Sequence, residues 1–192
     1  MQDQTIVIED KIFKKEDYQG KSFQKNSFSN VIFEGCNFSQ CDWRGVRFCG
    51  CRFINCNLSL VNLEGCRLQD IKFEGCKMVG LDFYKCEKNF LSLILTKNIL
   101  QTCNFSDMAL KKTSFAGSTI KDAHFKNTNL SETDFTETDL LGTVFHQCNL
   151  TKADFRGAKN YFIDPMTNQL KKARFSFPEV INLLRGFDID IA

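Results

Sequence analysis

The sequence contains no apolar run long enough to cross a membrane, and its first residues, Met1-Gln2-Asp3-Gln4, lack the basic and apolar segments of a signal peptide. It also lacks a strong charge of either sign, because 25 Lys and Arg side chains are nearly balanced by 23 Asp and Glu side chains. These absences predict a single soluble domain located in the cytoplasm.

Groups of residues typical of enzymes are missing too. The two histidines, His124 and His146, belong to no Ser/His/Asp or Cys/His grouping, and the sequence has no glycine-rich phosphate loop. The carboxylates of Asp42, Asp82 and Asp154 each precede a large apolar residue, at a place where Asn, Ser, Lys and Arg also occur. Acid/base catalysis needs one particular carboxylate in a cleft, so this interchange favours a solvated surface. We therefore expect no enzymatic activity and no cofactor.

The sequence has instead a large apolar residue at every fifth position. One run extends from Phe13 to Phe83, and a second run, shifted in phase by two residues, extends from Phe90 to Phe155. The residue two positions before each large one is in most cases small, apolar or hydroxylated. A period of five fits neither a helix nor a strand, so each pentapeptide must form one short side and one corner, with both of these residues pointing inward.

Four such sides close a coil, and successive coils stack at about the 4.8 Å spacing of hydrogen-bonded strands. Segments such as Cys36-Asn37-Phe38-Ser39-Gln40 and Thr133-Asp134-Phe135-Thr136-Glu137 resemble pentapeptide repeats. The resemblance implies an all-β protein, a right-handed quadrilateral β-helix of about seven coils over residues 13–160. Residues 1–12 are expected to form an N-terminal cap, and residues 161–192 a C-terminal tail.

Nine of the ten cysteines occupy inward positions, and all of them except Cys86 stand two residues before a large apolar residue. They are Cys36, Cys41, Cys51, Cys56, Cys66, Cys76, Cys86, Cys103 and Cys148. Zinc sites need paired spacings such as Cys-x-x-Cys, which are absent, and cysteines five residues apart lie on different sides of a coil. We interpret the nine as small buried apolar residues and Cys49 as an outward-facing thiol, and we expect no metal site.

The period fails once, between Phe83 and Phe90, where two residues are inserted. The segment 84–89 must therefore bulge outward at a corner of the middle coils. Two interpretations are open: a tolerated insertion, or a short recognition loop held by a rigid scaffold. The candidate partner-binding residues of such a loop are Tyr84, Lys85, Glu87, Lys88 and Asn89.

The C-terminal tail contains a predicted α-helix over about residues 177–185. Ser176 and Glu179 have the spacing of a capping box, and Gly186 supplies a stop. The apolar stripe of this helix would either cap the last coil or pair with a second copy, and it consists of Phe177, Val180, Ile181, Leu183, Leu184 and Phe187. Apolar and acidic side chains then alternate over residues 187–191, as in a short strand.

The tail resembles that of a known group of proteins. Its segment Tyr161-Phe162-Ile163-Asp164-Pro165, followed by Asn168, is similar to the C-terminal region of Qnr-type quinolone-resistance and microcin-immunity proteins. This resemblance implies a homodimer formed through the C-terminal helix. It also implies a role in protecting DNA gyrase or topoisomerase IV from quinolones or toxins, in some members by imitating duplex DNA.

One acidic stretch is a candidate for such a DNA-like surface, or is an ordinary solvated face, and comprises Glu132, Asp134, Glu137 and Asp139. Mimicry requires a continuous negative stripe, whereas charges of both signs are intermixed along the rest of the repeats. The alternative to topoisomerase binding is a general protein-interaction scaffold. Direct nucleic-acid binding is not expected, because no basic stripe with interleaved aromatic residues is evident outside the core.

Overall fold

A left-handed corner follows almost every large apolar residue of the period by two positions. The structure is a computed structural model that describes residues 6–187 and 189, and in it φ at this corner is 60° at Gln40, 60° at Glu132 and 71° at Gly142. Each corner turns the chain onto the next side, so four pentapeptides close one coil. Phe33 consequently pairs with Phe53, which lies 20 residues later in parallel register.

Short parallel strands line the four faces of the resulting tower. The chain visits the faces in a fixed order, and we number them 1 to 4 from the first strand. The strands are Val7–Glu9, Ser27–Ser29, Arg47–Cys49 and Arg67–Gln69 on face 1; Ile12–Lys14, Ile32–Glu34, Arg52–Ile54, Ile71–Glu74 and Leu93–Thr96 on face 2; Lys77–Val79, Ile99–Gln101 and Thr119–Lys121 on face 3; and His124–Lys126, Val144–His146 and Phe162–Ile163 on face 4. Elsewhere on each face, single parallel bridges continue the ladder.

The parallel-coil β-solenoid predicted from the five-residue period is confirmed, with about eight turns where the sequence predicts about seven. One difference lies at the N-terminus. Val7–Glu9, within the segment predicted as a cap, pairs with Ser27–Ser29 and so belongs to the first coil. The first coil is nevertheless less well packed than the others: Phe13 and Tyr18 are only half-buried.

The coils also continue past residue 160, the boundary that the sequence predicts. Asp154 forms a parallel bridge with Arg174, one coil later. Ile163 and Phe175 fill the inward positions of this last coil. The five-residue period does not reveal this last coil, because Ile163 pairs with Phe145 although the segment between them is two residues shorter than a full coil.

Stacked phenylalanine rings fill the interior. On face 2 the rings of Phe115, Phe135 and Phe155 stack almost parallel, with centroids 5.1 and 4.9 Å apart. Phe125 and Phe145 form a similar stack on face 4, and their rings meet those of face 2 edge to face. Each fully buried phenylalanine contributes on the order of 1.5–3 kcal/mol through removal of apolar surface from water.

Polar side chains at the second inward position satisfy backbone carbonyl groups of the neighbouring coil. The hydroxyl of Thr128 donates to the carbonyl oxygen of Phe105 at 2.9 Å. Asn98 does more: its Nδ2 donates to Phe73 O at 3.0 Å and its Oδ1 accepts from Cys76 N at 2.8 Å. Asn168 makes the equivalent two bonds in the last coil. Each asparagine lies in a coil that contains a change of register. There it forms hydrogen bonds with backbone groups that would otherwise be buried without a partner.

A 3₁₀ helix at Glu179–Phe187 occupies the place of the predicted α-helix at 177–185. The predicted capping box does not form: Ser176 Oγ accepts a hydrogen bond from Gly157 N at 3.0 Å, and its backbone carbonyl accepts from Val180 N. Ser176 is therefore used to attach the tail to the last coil. A second, shorter 3₁₀ helix spans Phe83–Lys85. The alternation predicted for residues 187–191 lies largely outside the described residues.

The nine cysteines predicted to point inward are buried, and Cys49 is exposed, as the period predicts. Several buried thiols donate to carbonyl groups; for example, Cys51 Sγ lies 3.4 Å from Phe28 O. Burial raises the pKa of Cys103 and of Cys86 to about 12. These thiols are protonated at neutral pH and closed to reagents, so they act as small core residues.

Replacing Phe115 by Asp should destroy the fold, because an unpaired carboxylate would enter a dry stack of aromatic rings. We expect the free energy of unfolding to fall by more than about 3 kcal/mol, measured by chemical denaturation. Ala116→Asp is the matched control, since its side chain belongs to the outward row of the same pentapeptide. A Phe115→Asp variant as stable as the control would contradict the inward assignment.

Alkylation of the native protein by iodoacetamide should modify one cysteine, Cys49. Intact-mass spectrometry should give a single adduct before denaturation and ten adducts afterwards, because the sequence contains ten cysteines. The Cys49→Ser variant should give none in the native state. More than one rapid adduct on the native wild-type protein would mean that the column of thiols opens to solvent.

Candidate binding surfaces

Side chains fill the interior of the tower, so groups available to a partner lie on the outer faces and at the C-terminal end. Among residues 6–187 and 189, no three His, Cys, Asp or Glu side chains come together in a way that could hold a metal ion. None of the helices in that part of the chain has the length and apolarity needed to span a bilayer.

The two-residue insertion lies slightly later than the sequence predicts. Arg67 is still paired with Glu87, at a full coil of 20 residues, but Ile71 pairs with Leu93, 22 residues later. The extra residues therefore lie between Glu87 and Leu93, and the loop is formed by residues 88–92. Of the predicted loop residues, Lys88 and Asn89 are in it and Glu87 is at its start.

Tyr84 and Lys85 precede the loop and belong to the 3₁₀ helix Phe83–Lys85. The carbonyl oxygen of Lys85 accepts from Gly65 N at 2.9 Å, one residue later than the regular bond of the preceding coil, from Gly45 N to Glu64 O. Lys85 Nζ lies 2.7 Å from Asp82 Oδ2 and 5.6 Å from the centre of the Tyr84 ring. These two residues thus form the edge of face 4 beside the loop.

Phe90 points outward, contrary to the inward place that the five-residue period predicts for it. Its side chain is 67% exposed and its φ is 65°. The neighbouring Leu91 packs against the core in its stead. The extra two residues allow this exchange, because Ser92 N returns the chain to the ladder by donating to Leu68 O at 3.2 Å. From the sequence alone, either Phe90 or the adjacent Leu91 could occupy this inward position.

Arg67 holds the loop at its base. Its guanidinium group donates two parallel hydrogen bonds of 2.9 Å to the carboxylate of Glu87, and it lies 5.6 Å from the centre of the Phe90 ring. The hydrogen bonds from Arg67 lower the pKa of Glu87. Because both partners of this ion pair are about one-third exposed, it adds little stability but fixes the direction in which the loop leaves the tower.

The four predicted acidic residues lie on one coil, from the end of face 1 across face 2 to the start of face 3. Glu132 lies at the end of face 1, Asp134 and Glu137 lie on face 2, and Asp139 lies on face 3. Three of these carboxylates have local partners. Lys111 Nζ lies 3.2 Å from Glu132 and lowers its pKa, Asp134 accepts from Thr136, and Asp139 accepts from Asn160. The group is a band around the tower, not a stripe along it.

The C-terminal 3₁₀ helix divides its apolar residues between two surroundings. Leu183 packs against the core and covers the last coil. Ile181, Leu184 and Phe187 are between 40 and 46% exposed, and Phe177 is more exposed still. Val180 is half-buried. One part of the predicted apolar stripe therefore caps the last coil, and the other part is exposed to solvent.

Apolar residues of face 4 extend this free surface. The helix packs beside the strand Phe162–Ile163, whose Phe162 side chain is exposed, and Val144 of the next strand is exposed beside it. Met166, in the following turn, is exposed as well. Sequence reasoning missed these residues. The available signal was that Val144 and Phe162 occupy an outward row where other coils carry Asp, Asn or His.

Two family models match the sequence. One, described as pentapeptide repeat region, matches residues 26–93, and the other, described as pentapeptide repeats (8 copies), matches residues 99–136 and 128–159. The gap between the two matches follows the loop at 88–92. No curated protein matches the chain at a significant level.

Among solved structures, the chain is similar to a trypsin-treated variant of QnrB1, a plasmid-mediated fluoroquinolone resistance protein, with a TM-score of 0.73, 17% identity and 98% of each chain covered. A second trypsin-treated QnrB1 variant gives a TM-score of 0.63 at 19% identity, covering 97% of this chain and 100% of that chain. Full-length QnrB1 gives 0.56 at 18% identity, with 95% and 100% covered. At such identities the likeness establishes the fold alone.

Proposed function

The chain belongs to the pentapeptide repeat family, and we propose that it is a non-enzymatic binding protein that contacts DNA gyrase or topoisomerase IV and protects the enzyme from quinolones or toxins. The observation that carries the proposal is the loop at residues 88–92, an exposed and firmly held projection on a tower whose fold is that of QnrB1 along its full length. The role requires a location in the cytoplasm, which remains a prediction from the sequence.

The construction of the loop supports recognition over a merely tolerated insertion. A tolerated insertion needs no fixed geometry, whereas here Arg67 binds Glu87 through two hydrogen bonds and faces the Phe90 ring. An exposed aromatic ring beside an arginine is the kind of residue pair that dominates binding energy in protein interfaces. Tyr84 and Lys85 extend the same surface onto face 4.

The charge distribution argues against imitation of duplex DNA as the mechanism. A phosphate-like surface would need carboxylates aligned along the tower. The band formed by Glu132, Asp134, Glu137 and Asp139 runs around it, and Lys111 and Lys121 lie against two of its members. We therefore propose that protection works through contact of the loop with the topoisomerase.

A general protein-interaction scaffold is the second candidate. The mixed charges of faces 2, 3 and 4 support it, because they present a long surface without one dominant ligand chemistry. In that case the partner is a different protein, and the loop remains the first surface to examine.

Gyrase supercoiling in the presence of a quinolone tests the proposed function. The purified protein should restore supercoiling at low micromolar concentrations. Deletion of Lys88 and Asn89 should raise the concentration needed by about tenfold or more, because it removes the projection and returns Phe90 to an inward position. The same deletion restores the regular period, so thermal stability should not fall.

Lys72→Glu provides a matched control, since it alters an exposed charge on face 2 and leaves the loop intact. It should protect gyrase as well as the wild type does. No protection by the wild-type protein over the whole concentration series would favour the scaffold, and equal protection by the deletion variant would remove the loop from the proposal.

The free part of the C-terminal stripe supports a homodimer formed tail to tail, as the resemblance to Qnr-type proteins implies. Ile181→Glu combined with Leu184→Glu should give a folded monomer by light scattering, because both side chains are exposed and would meet their copies at a two-fold contact. Leu183→Glu should instead lower the melting temperature, since Leu183 covers the core. A double variant that stays dimeric would restrict the tail to capping.

A further inference from the structure

Face 1 carries an uneven charge that the sequence conceals. From Arg47 to the last coil, its outward positions hold eight cationic side chains and three carboxylates. The cations are Arg47, Arg67, Lys88, Lys111, Lys112, Lys152, Lys171 and Lys172, and the carboxylates are Asp70, Glu87 and Glu132. They lie on one face because the chain returns to it once in every coil, so residues 20 or 22 positions apart become neighbours.

Two of the three carboxylates are already engaged within the face. Glu87 accepts both hydrogen bonds of Arg67. Glu132 lies 3.2 Å from Lys111 and 3.9 Å from Lys112. Lys152, Lys171 and Lys172 are exposed, and no carboxylate among the described residues lies within ion-pair distance of their Nζ atoms. Lys111 mainly lowers the pKa of Glu132, but Lys152 adds to that effect, so Lys171 and Lys172 are the cations of this half without a nearby carboxylate among the described residues.

The cations follow the axis of the tower. Arg47 and Arg67 occupy adjacent coils in direct register. Lys152 N donates to Lys171 O, which places Lys171 and Lys172 one coil beyond Lys152. Six coil steps separate Arg47 from Lys172, which is about 29 Å at strand spacing. The coil that carries Glu132 has no cation on this face, so the cations form one group from Arg47 to Lys112 and a second from Lys152 to Lys172.

An exposed aromatic ring lies within the first group. Phe90, in the loop at 88–92, is two-thirds exposed with its ring beside Arg67, and the next coil of the same face carries Lys111 and Lys112. The sequence pattern assigns Phe90 to the core and so conceals this combination. A cationic groove or stripe with an exposed ring is how proteins bind single-stranded nucleic acids, the cations following the phosphates and the ring stacking on a base.

We propose that face 1 binds single-stranded nucleic acid, with Lys152, Lys171 and Lys172 neutralising phosphates and Phe90 stacking on a base. The ring favours a single strand over a duplex, because the bases of a duplex are not available for stacking. It also favours a nucleic acid over an acidic protein, which would gain from the lysines but has no base to place on the ring. It shares Phe90 with the loop that we propose to contact a topoisomerase, and an assay on an oligonucleotide alone tests it independently of that contact.

Fluorescence anisotropy of a labelled oligothymidine of about 15 nucleotides tests the proposal with the full-length protein. The wild type should bind with an affinity that falls as salt rises, by a slope of about 0.7 for each phosphate neutralised. Combined Lys152→Glu, Lys171→Glu and Lys172→Glu should weaken binding by at least about tenfold and reduce that slope. Phe90→Ala should weaken binding by about tenfold with the slope unchanged.

The matched control is Lys72→Glu, Lys97→Glu and Lys126→Glu, three exposed lysines of the other faces whose replacement changes the net charge by the same amount. Its affinity should stay close to that of the wild type. Equal loss in this control, or no binding by the wild type up to about 100 µM, overturns the proposal. Competition by polyglutamate as effective as that by unlabelled oligothymidine also overturns it and identifies an acidic protein surface as the ligand. Circular dichroism confirms that each variant is folded.

Discussion

The closed coil of four five-residue sides is the constraint on which the rest of the structure depends. A coil can stack on the next one only if its inward positions are filled, its backbone groups are paired with the neighbouring coils, and its corner adopts a left-handed conformation. The stacked rings of Phe115, Phe135 and Phe155 and the thiol and hydroxyl bonds of Cys51 and Thr128 meet the first two demands at once. No space remains inside for extra residues. Any departure from the period must therefore appear on the outside.

This constraint explains why the functional features are few and local. The insertion between Glu87 and Leu93 becomes a projection, and the shortened segment before Ile163 is followed by an irregular turn. In both coils a buried asparagine, Asn98 or Asn168, repairs the backbone pairing near the disturbance. The scaffold thus tolerates a loop or a tail at the cost of one specific polar residue in the core.

The sequence was sufficient to predict the solenoid and the burial of nine cysteines, because one side-chain period governs every coil. It was insufficient where two residues compete for one role. Phe90 and Leu91 are adjacent and apolar, and only the path of the loop decides that Leu91 turns inward. Ser176 has the spacing of a capping box, yet Gly157 of the preceding coil uses its hydroxyl group. The period reports which residues can point inward, whereas contacts between coils decide which of them do.

The charges on the surface follow a different rule from the side chains that fill the core. A charge on an outward position is free of the packing constraint, so its neighbours are set by the coil length and not by the nearby sequence. Along the chain, Lys111 and Lys112 are separated from Lys152 and Lys171 by a long stretch with charges of both signs, but on face 1 they lie only two and three coils away. A net charge of +2 over the whole chain therefore hides the excess of cations on face 1 from Arg47 onward. In a solenoid, charge must be summed by face, since a partner meets one face and not the sequence.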